Sequence, residues 1–454
     1  MSIEIIHLGA ANDVSGSCHY VYINDTHILV DCGITQGNAR HSDMRQWPVH
    51  PSEIDFLFIT HAHIDHIGRI PELIRKGFSG EILTTEATKV LMTPMLINAL
   101  GYQTKHNRDH KKIIAQMDDL TWGFEFHETF QLKKQISFQL GRAGHILGSC
   151  HIRIETKEHS IVFSGDLGMS DSPILCAPDI PGPCEILCME STYGDHLHES
   201  RSKRIQALGN VLMHTLSDEG KIIIPAFSLG RTYELLFEID CLFSDPIIKE
   251  QFPEMAKKGR IPVFLDTPMG TRITRLFSKL SNYWDRESRS TYKRGTPPIN
   301  FSYLYAVENH RQHLKLLSMQ GPAIIIAGSD MCTGGRIVDH LLSGLSDWRN
   351  DIIFIGYQAS GSLGNDIIRY GKRTGGYVYI DNNRVDINAK IHVMSGYSAH
   401  ADQKGLMAWV QAIDQKPSII QLVHGESTSQ KALYDQLETS GYCVEACFKP
   451  TEPI

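Results

Sequence analysis

The segment His61-Ala62-His63-Ile64-Asp65-His66 constrains this chain more than any other part of it. It follows directly on the apolar run Phe56-Leu57-Phe58-Ile59, which reads as a buried strand. Three imidazoles and a carboxylate within six residues at a strand end are first-row metal ligands in type and in density. Side chains two apart in extended backbone point the same way, so His61 and His63 can share one metal. Asp65 and His66 follow as the chain turns and can reach a second. Two metals need about seven protein ligands, so others must come from elsewhere. Candidates sit at the ends of later strands: His145 in Ala143-Gly144-His145, Asp166 in Ser164-Gly165-Asp166, His400 in Ser398-Ala399-His400, and His424 in Val423-His424-Gly425. Each alone would more often be structural; together they supply what the first motif lacks.

Composition places the motif in a soluble globular protein. The chain has 454 residues, enough for two or three domains, and is 42% hydrophobic and 21% charged, which excludes a disordered, collagenous or coiled-coil chain. Its 23 histidines suit metal ligation or proton transfer. The opening Met1–His7 carries no basic segment followed by a long apolar one, so no secretory signal is expected. No apolar run approaches the ~20 residues of a membrane-spanning helix. The ten cysteines are scattered without a Cys-x-x-Cys pair, as in the reduced thiols of a cytoplasmic protein.

The rhythm of the chain changes twice. Up to about residue 190 short β-type runs dominate, among them Ile3–Leu8, His19–Ile23, His27–Val30, Ile136–Leu140, Ile161–Phe163 and Ile186–Met189, with helices predicted at Thr85–Leu100 and Asp109–Asp119. From about residue 200 helix and apolar strand alternate, with helices at Ser200–Ser217 and Gly230–Leu242 and strands at Lys221–Pro225, Ile261–Leu265, Ala323–Ala327 and Ile352–Gly356. That alternation predicts a parallel α/β sheet. Short strands return near 375, followed by a helix at Asp402–Ile413. Arg286–Pro298, polar and ending in Gly-Thr-Pro-Pro, reads as a mobile loop. Residues 201–300 carry 16 Lys+Arg against 11 Asp+Glu, a net +5 in a chain at −7, which leaves −12 for the remainder. A basic segment in an acidic protein suits an anionic substrate.

The motifs, taken in order, resemble the metallo-β-lactamase superfamily and, within it, the β-CASP nucleases. The matches are Asp31 in Leu29-Val30-Asp31-Cys32-Gly33, the His61–His66 motif, His145, Asp166, Glu190 in Met189-Glu190-Ser191-Thr192-Tyr193-Gly194-Asp195, His400 and His424. The resemblance implies an αββα sandwich with a parallel α/β β-CASP domain inserted before the final strands. On that reading residues 1–199 form the first part of the hydrolase domain, 200–372 the insertion and 373–454 the return. It further implies two zinc ions, one on His61, His63 and His145 and the other on Asp65, His66 and His424, with Asp166 bridging. Asp31 would orient a ligand histidine, and Glu190 would pair with His400, the general acid. One departure is His196, where many relatives have arginine.

The activity implied is hydrolysis of phosphodiester bonds in single-stranded RNA by hydroxide activated at the zinc pair, endonucleolytic, 5′-exonucleolytic or both. Histidine at 424 goes with RNA substrates in this family, and an aliphatic residue with the DNA-directed branch. Two loops between strand and helix, Pro225–Arg231 and Gly328–Arg336, resemble segments lining the family's substrate channel. They nominate Ser228, Arg231, Ser329 and Arg336 as phosphate contacts, since helix N-termini attract phosphate. The family's frequent dimers imply a homodimer. Three competing readings are a small-molecule metallohydrolase, a DNA-directed nuclease and a non-catalytic RNA-binding scaffold. The ~170-residue insertion, its positive charge and the Glu190/His400 pair argue against the first. A full ligand set argues against the scaffold.

Overall fold

A computed structural model describes residues 3–35, 42–99, 108–226, 230–244, 250–252, 260–267, 270–293, 301–329, 331–356, 358 and 361–446. The chain divides into two compact units, Met1–Leu197 with His400–Ile454, and His198–Ala399. Among the described residues no helix is long and apolar enough to cross a membrane.

The first unit holds two sheets. One runs Glu4–Gly9, Cys18–Ile23, Thr26–Val30, Phe56–Phe58, Glu81–Thr85, Thr121–Phe124, antiparallel at its start and parallel from Thr26–Val30 onward. The other runs Val444–Ala446, Ile419–Val423, Ile186–Glu190, Ser160–Phe163, Cys150–Glu155, Ser137–Arg142, Thr129–Gln131. Alternation along each strand decides what each face buries. Val21, Ile28, Val30 and Phe58 of the first sheet meet Phe138, Leu140, Ile152 and Phe163 of the second in one core. Phe58 and Phe138 cross edge to face with centroids 5.0 Å apart, a geometry worth about 0.5–1.5 kcal/mol beyond area burial. The opposite face of the second sheet, with Leu187, Met189, Ile420 and Leu422, is covered by the helices Gln403–Gln411 and Ser427–Thr439 through Leu406, Val410, Leu433 and Leu437. The helices Glu86–Ala99 and Arg108–Leu120 pack on the first sheet. The result is the four-layer αββα arrangement anticipated from the sequence.

The second unit is built on a six-stranded sheet, all parallel, in the order Leu304–Ala306, Val263–Asp266, Ala323–Ala327, Lys221–Pro225, Asp351–Phe354, Lys390–Val393. Two expectations change here. The insertion was placed at 200–372, yet the chain stays in this unit to Ala399, because Lys390–Val393 pairs in parallel with Asp351–Phe354 as the last strand of the same sheet. The return of β-rhythm near 375 is this strand and the ribbon Tyr377–Ile380/Asn383–Asp386, not the hydrolase sandwich. Arg286–Pro298 is likewise no simple loop. Arg286–Lys293 is helical; Ser288 donates its backbone N–H to Asp285 Oδ1 at 2.6 Å, and Tyr292 packs edge-on against Trp284. Residues 294–300 lie outside the described residues.

His151 shows how closely the sandwich limits its polar groups. It pairs across the sheet with Gly141, and a Cβ at Gly141 would lie 2.0 Å from its ring, so glycine makes the space the imidazole fills. Burial pushes the His151 imidazole down to about 4. A histidine that stays neutral when folded lets the unfolded chain bind the extra proton, so stability is intact above pH 6.5 and declines as pH falls toward 4. The His151 share of that decline is about 3 kcal/mol. His151→Phe should flatten the acid limb of a urea-denaturation series between pH 6.5 and 4. An unchanged limb would remove His151 from the account.

Candidate metal centre

The site forms where strand ends of both sheets in the first unit meet, and local backbone aims each side chain. Asp31 ends Thr26–Val30 in the left-handed region, φ 61°, with its N–H on the Phe58 carbonyl. His424 does the same after Ile419–Val423, φ 50°, with its N–H on the Ala10 carbonyl at 2.7 Å. Such a turn is uncommon for residues other than glycine and persists only where the surroundings impose it. Gly33 has a different task. A Cβ there would lie 1.5 Å from the Asp65 carbonyl oxygen, so only glycine admits the Asp65–His66 backbone this close.

Four ligand atoms converge first. His63 Nδ1 lies 3.0 Å from His61 Nε2 and 3.1 Å from His145 Nε2, and Asp166 Oδ2 lies 3.5 Å from each of those two nitrogens. Tetrahedral zinc with bonds of about 2.0–2.1 Å places its ligand atoms about 3.3 Å apart, so the spacing fits that ion. Asp65, His66 and His424 form a second group: His424 Nε2 is 3.6 Å and His66 Nε2 4.0 Å from Asp65 Oδ2. Asp166 Oδ2 is also 3.4 Å from His66 Nε2, so one carboxylate oxygen faces both groups. His66 Nε2, His424 Nε2 and Asp166 Oδ1 are buried without a hydrogen bond of good geometry, as atoms reserved for coordination would be. This donor set fits two metals sharing Asp166.

Electrostatics agree with convergence. Burial alone would raise Asp166, yet the surrounding imidazoles of His424, His66 and His61 hold it well below the carboxylate range. Asp65 is likewise raised by burial but brought down to about 2, chiefly by the His424 imidazole 3.6 Å away. Burial lowers His61. His66 and His424 are raised despite burial, by Asp166 with Asp31 for the one and by Asp166 with Asp65 for the other. A metal binding here takes the place of those protons.

Around the ligands sits a supporting layer. Asp31 Oδ2 holds His66 Nδ1 at 2.7 Å, which turns Nε2 toward the centre. Thr60 donates its hydroxyl to Asp31 at 2.9 Å and stands 3.1 Å from His61 Nδ1. Glu190 meets His400 Nδ1 at 3.0 Å through Oε2, while its two oxygens accept the Leu167 N–H at 2.5 Å and the Thr192 hydroxyl at 2.6 Å. His400 Nε2 then lies 3.9 Å from Asp166 Oδ2. Sequence reasoning missed Thr60 and Thr192. Thr60 could have been suspected because it precedes His61 at the strand end, and Thr192 because it lies in the Met189–Asp195 motif two residues after Glu190; its oxygen also lies 3.1 Å from His424 Nδ1.

Asp31, His61, His63, Asp65, His66, His145, Asp166, Glu190, His400 and His424 are therefore brought together in the first unit. The four nominated phosphate contacts fare differently. Ser228 lies outside the described residues. Arg231 is buried, its guanidinium filling the space a Cβ at Gly356 would need. Arg336 donates to Asp266 Oδ1 at 2.7 Å and to the Val307 carbonyl at 2.6 Å, so it braces the second unit instead of presenting its charge to solvent. Ser329 accepts the Thr333 N–H at 3.1 Å within its own turn.

Known proteins share this organisation. The metallo-beta-lactamase superfamily profile matches residues 11–208, the Beta-Casp domain 232–367, and the Zn-dependent metallo-hydrolase RNA specificity domain 384–447. "Ribonuclease TTHA0252" from Thermus thermophilus is 33% identical, with 97% of each chain covered. "Transcription termination factor FttA" from Methanocaldococcus jannaschii is 30% identical over 94% of this chain and 67% of its own. A solved structure of a protein of unknown function from Enterococcus faecalis matches 99% of both chains at a TM-score of 0.52 and 13% identity, a likeness of fold alone.

Proposed function

Since the chain belongs to the metallo-β-lactamase superfamily, in its β-CASP branch, and is a metal-dependent hydrolase, we propose that it is a two-zinc ribonuclease that cuts phosphodiester bonds of single-stranded RNA. The observation that carries the reading is the Glu190–His400 pair beside Asp166. An alkoxide leaving group needs a proton, and this pair sets an imidazole beside the ligand groups to supply it. His61, His63, His145, Asp65, His66, His424 and Asp166 would hold the metals, which when bound would supply Lewis acidity and an activated water. Asp31 and Thr60 keep the ligand imidazoles in register. Glu190 accepts a hydrogen bond from the Nδ1–H of His400, and in the imidazolium form of that ring Nε2–H is the proton given to the departing 3′ oxygen. Burial of Glu190 and its two further donors fix the imidazole's orientation.

The name of the Thermus relative and the match to an RNA specificity domain support RNA over DNA, as does His424. We assign the protein to the cytoplasm and to a homodimer on the family pattern. The test is metal content by mass spectrometry together with cleavage of one labelled RNA and the matching DNA. Zinc near two per chain and RNA cleavage abolished by a chelator are expected. A chain that holds zinc and hydrolyses a β-lactam or thioester but not RNA would overturn the reading. Products from the same RNA bearing a 5′-monophosphate or a 5′-triphosphate separate 5′-exonuclease from endonuclease action.

A further inference from the structure

The second unit carries a basic surface whose residues lie outside the metal-ligand groups. Residues 270–293 hold six Lys+Arg against two Asp+Glu, a net +4 within 24 residues of a chain at −7. The placement is ordered. On the helix Gly270–Lys279, Arg272, Arg275 and Lys279 are exposed and spaced three and four apart, hence on one face. On Arg286–Lys293, Arg286 and Arg289 are exposed with the same three-residue spacing. On the turn that follows the first helix and on the second helix, Ser281, Asn282, Arg286, Arg289, Ser290 and Tyr292 line a surface cleft of about 320 Å³.

The walls of this cleft are held from beneath. Tyr233 stacks on Phe277 at 3.9 Å, Phe277 lies 5.7 Å from Trp284, and Trp284 meets Tyr292 edge-on at 5.2 Å. Phe277 and Trp284 are fully buried, so the two helices share an aromatic spine. Asp285, beside the arginines, is engaged as the cap of its own helix through the Ser288 N–H at 2.6 Å. The opening therefore combines two guanidiniums, hydroxyl and amide donors, and an aromatic ring. Phosphate and base together are the ligand that matches such a set, because guanidinium forks fit phosphate oxygens and bases stack on aromatic side chains.

We propose that this cleft is an RNA-binding site, in which Arg286 and Arg289 take backbone phosphates and Tyr292 a base. The proposal rests on the RNA-directed reading above. Its test is equilibrium binding of a labelled, unstructured oligoribonucleotide to the full-length zinc protein in a His400→Ala background, across a salt series, with cleavage of the same RNA by the wild type run alongside. Each phosphate contact to a single strand contributes about 0.7 to the slope of log affinity against log salt. Arg286→Gln/Arg289→Gln should lower the slope by about 1.4 and weaken binding about tenfold at 0.1 M salt. Ser290→Glu, which keeps both arginines but brings negative charge into the cleft, should weaken binding as well. An unchanged slope and affinity in both variants, with RNA still cut by the wild type, would overturn the binding site and leave the nuclease reading standing. Failure of the wild type to bind or cut RNA would overturn both.

Discussion

Asp166→Asn should leave a protein that neither holds its metals nor cuts RNA. The substitution keeps size and shape while removing the one charge that both ligand groups face: Asp166 Oδ2 lies within 3.5 Å of His61, His145 and His66. An amide is a weaker ligand than a carboxylate, and it leaves the raised imidazoles of His66 and His424 without their main counter-charge. Residues that merely support a metal ligand typically account for 10–100-fold in affinity or activity, so loss of a shared ligand should exceed ~100-fold. Zinc retained after dialysis against a competing chelator, measured beside the wild type, reads the first effect, and RNA turnover reads the second. Circular dichroism shows whether the sandwich is intact. A variant with both zincs and ordinary turnover would mean that Asp166 does not belong to the centre.

His400→Ala should separate chemistry from metal binding. His400 Nε2 lies 3.9 Å from Asp166 Oδ2, and its Nδ1 is held by Glu190. Full zinc content with cleavage slowed by about 10²–10⁴-fold is expected, the usual contribution of a positioned general acid. The role of the proton can be read directly. A substrate whose departing 3′ oxygen is replaced by sulfur needs no proton to leave, so His400→Ala should recover most of its rate on it. Glu190→Gln should fall between wild type and His400→Ala, since the imidazole stays but its orientation is no longer enforced by a carboxylate. If the alanine variant turned over at the wild-type rate, or if the thio-substrate gave no recovery, His400 would not be the acid.

Much of the centre could be read from the chain because ligands of a metal site have few chemical substitutes. His61, His63, Asp65 and His66 declare themselves by density, and His145, Asp166, His400 and His424 follow once strand ends are sought. The parts that escaped are those whose role depends on direction. Thr60 and Thr192 are ordinary threonines until their hydroxyls are seen on Asp31 and Glu190. Arg336 was nominated as a phosphate contact from its place after a glycine turn; the buried Asp266 claims it instead. Arg286–Pro298 reads as a loop because it is polar and ends in Gly-Thr-Pro-Pro, and the packing of Trp284 on Tyr292 is what the sequence cannot display.

What the sequence by itself determined is the chemistry: a dense set of imidazoles and carboxylates at strand ends, and an insertion whose alternating helices and apolar strands demand a parallel sheet. These are properties of residue type and of periods two and 3.6, which are local. Tertiary structure alone decided register and aim. The chain remains in the second unit to Ala399 because a strand at 390 finds its partner at 351, some forty residues earlier. Asp31 and His424 turn into the centre through left-handed backbone that their neighbours impose, and Asp166 serves two ligand groups because both sheets end beside it. Such pairings join residues from about forty to about a hundred apart in the chain, and no local pattern encodes the distance between them.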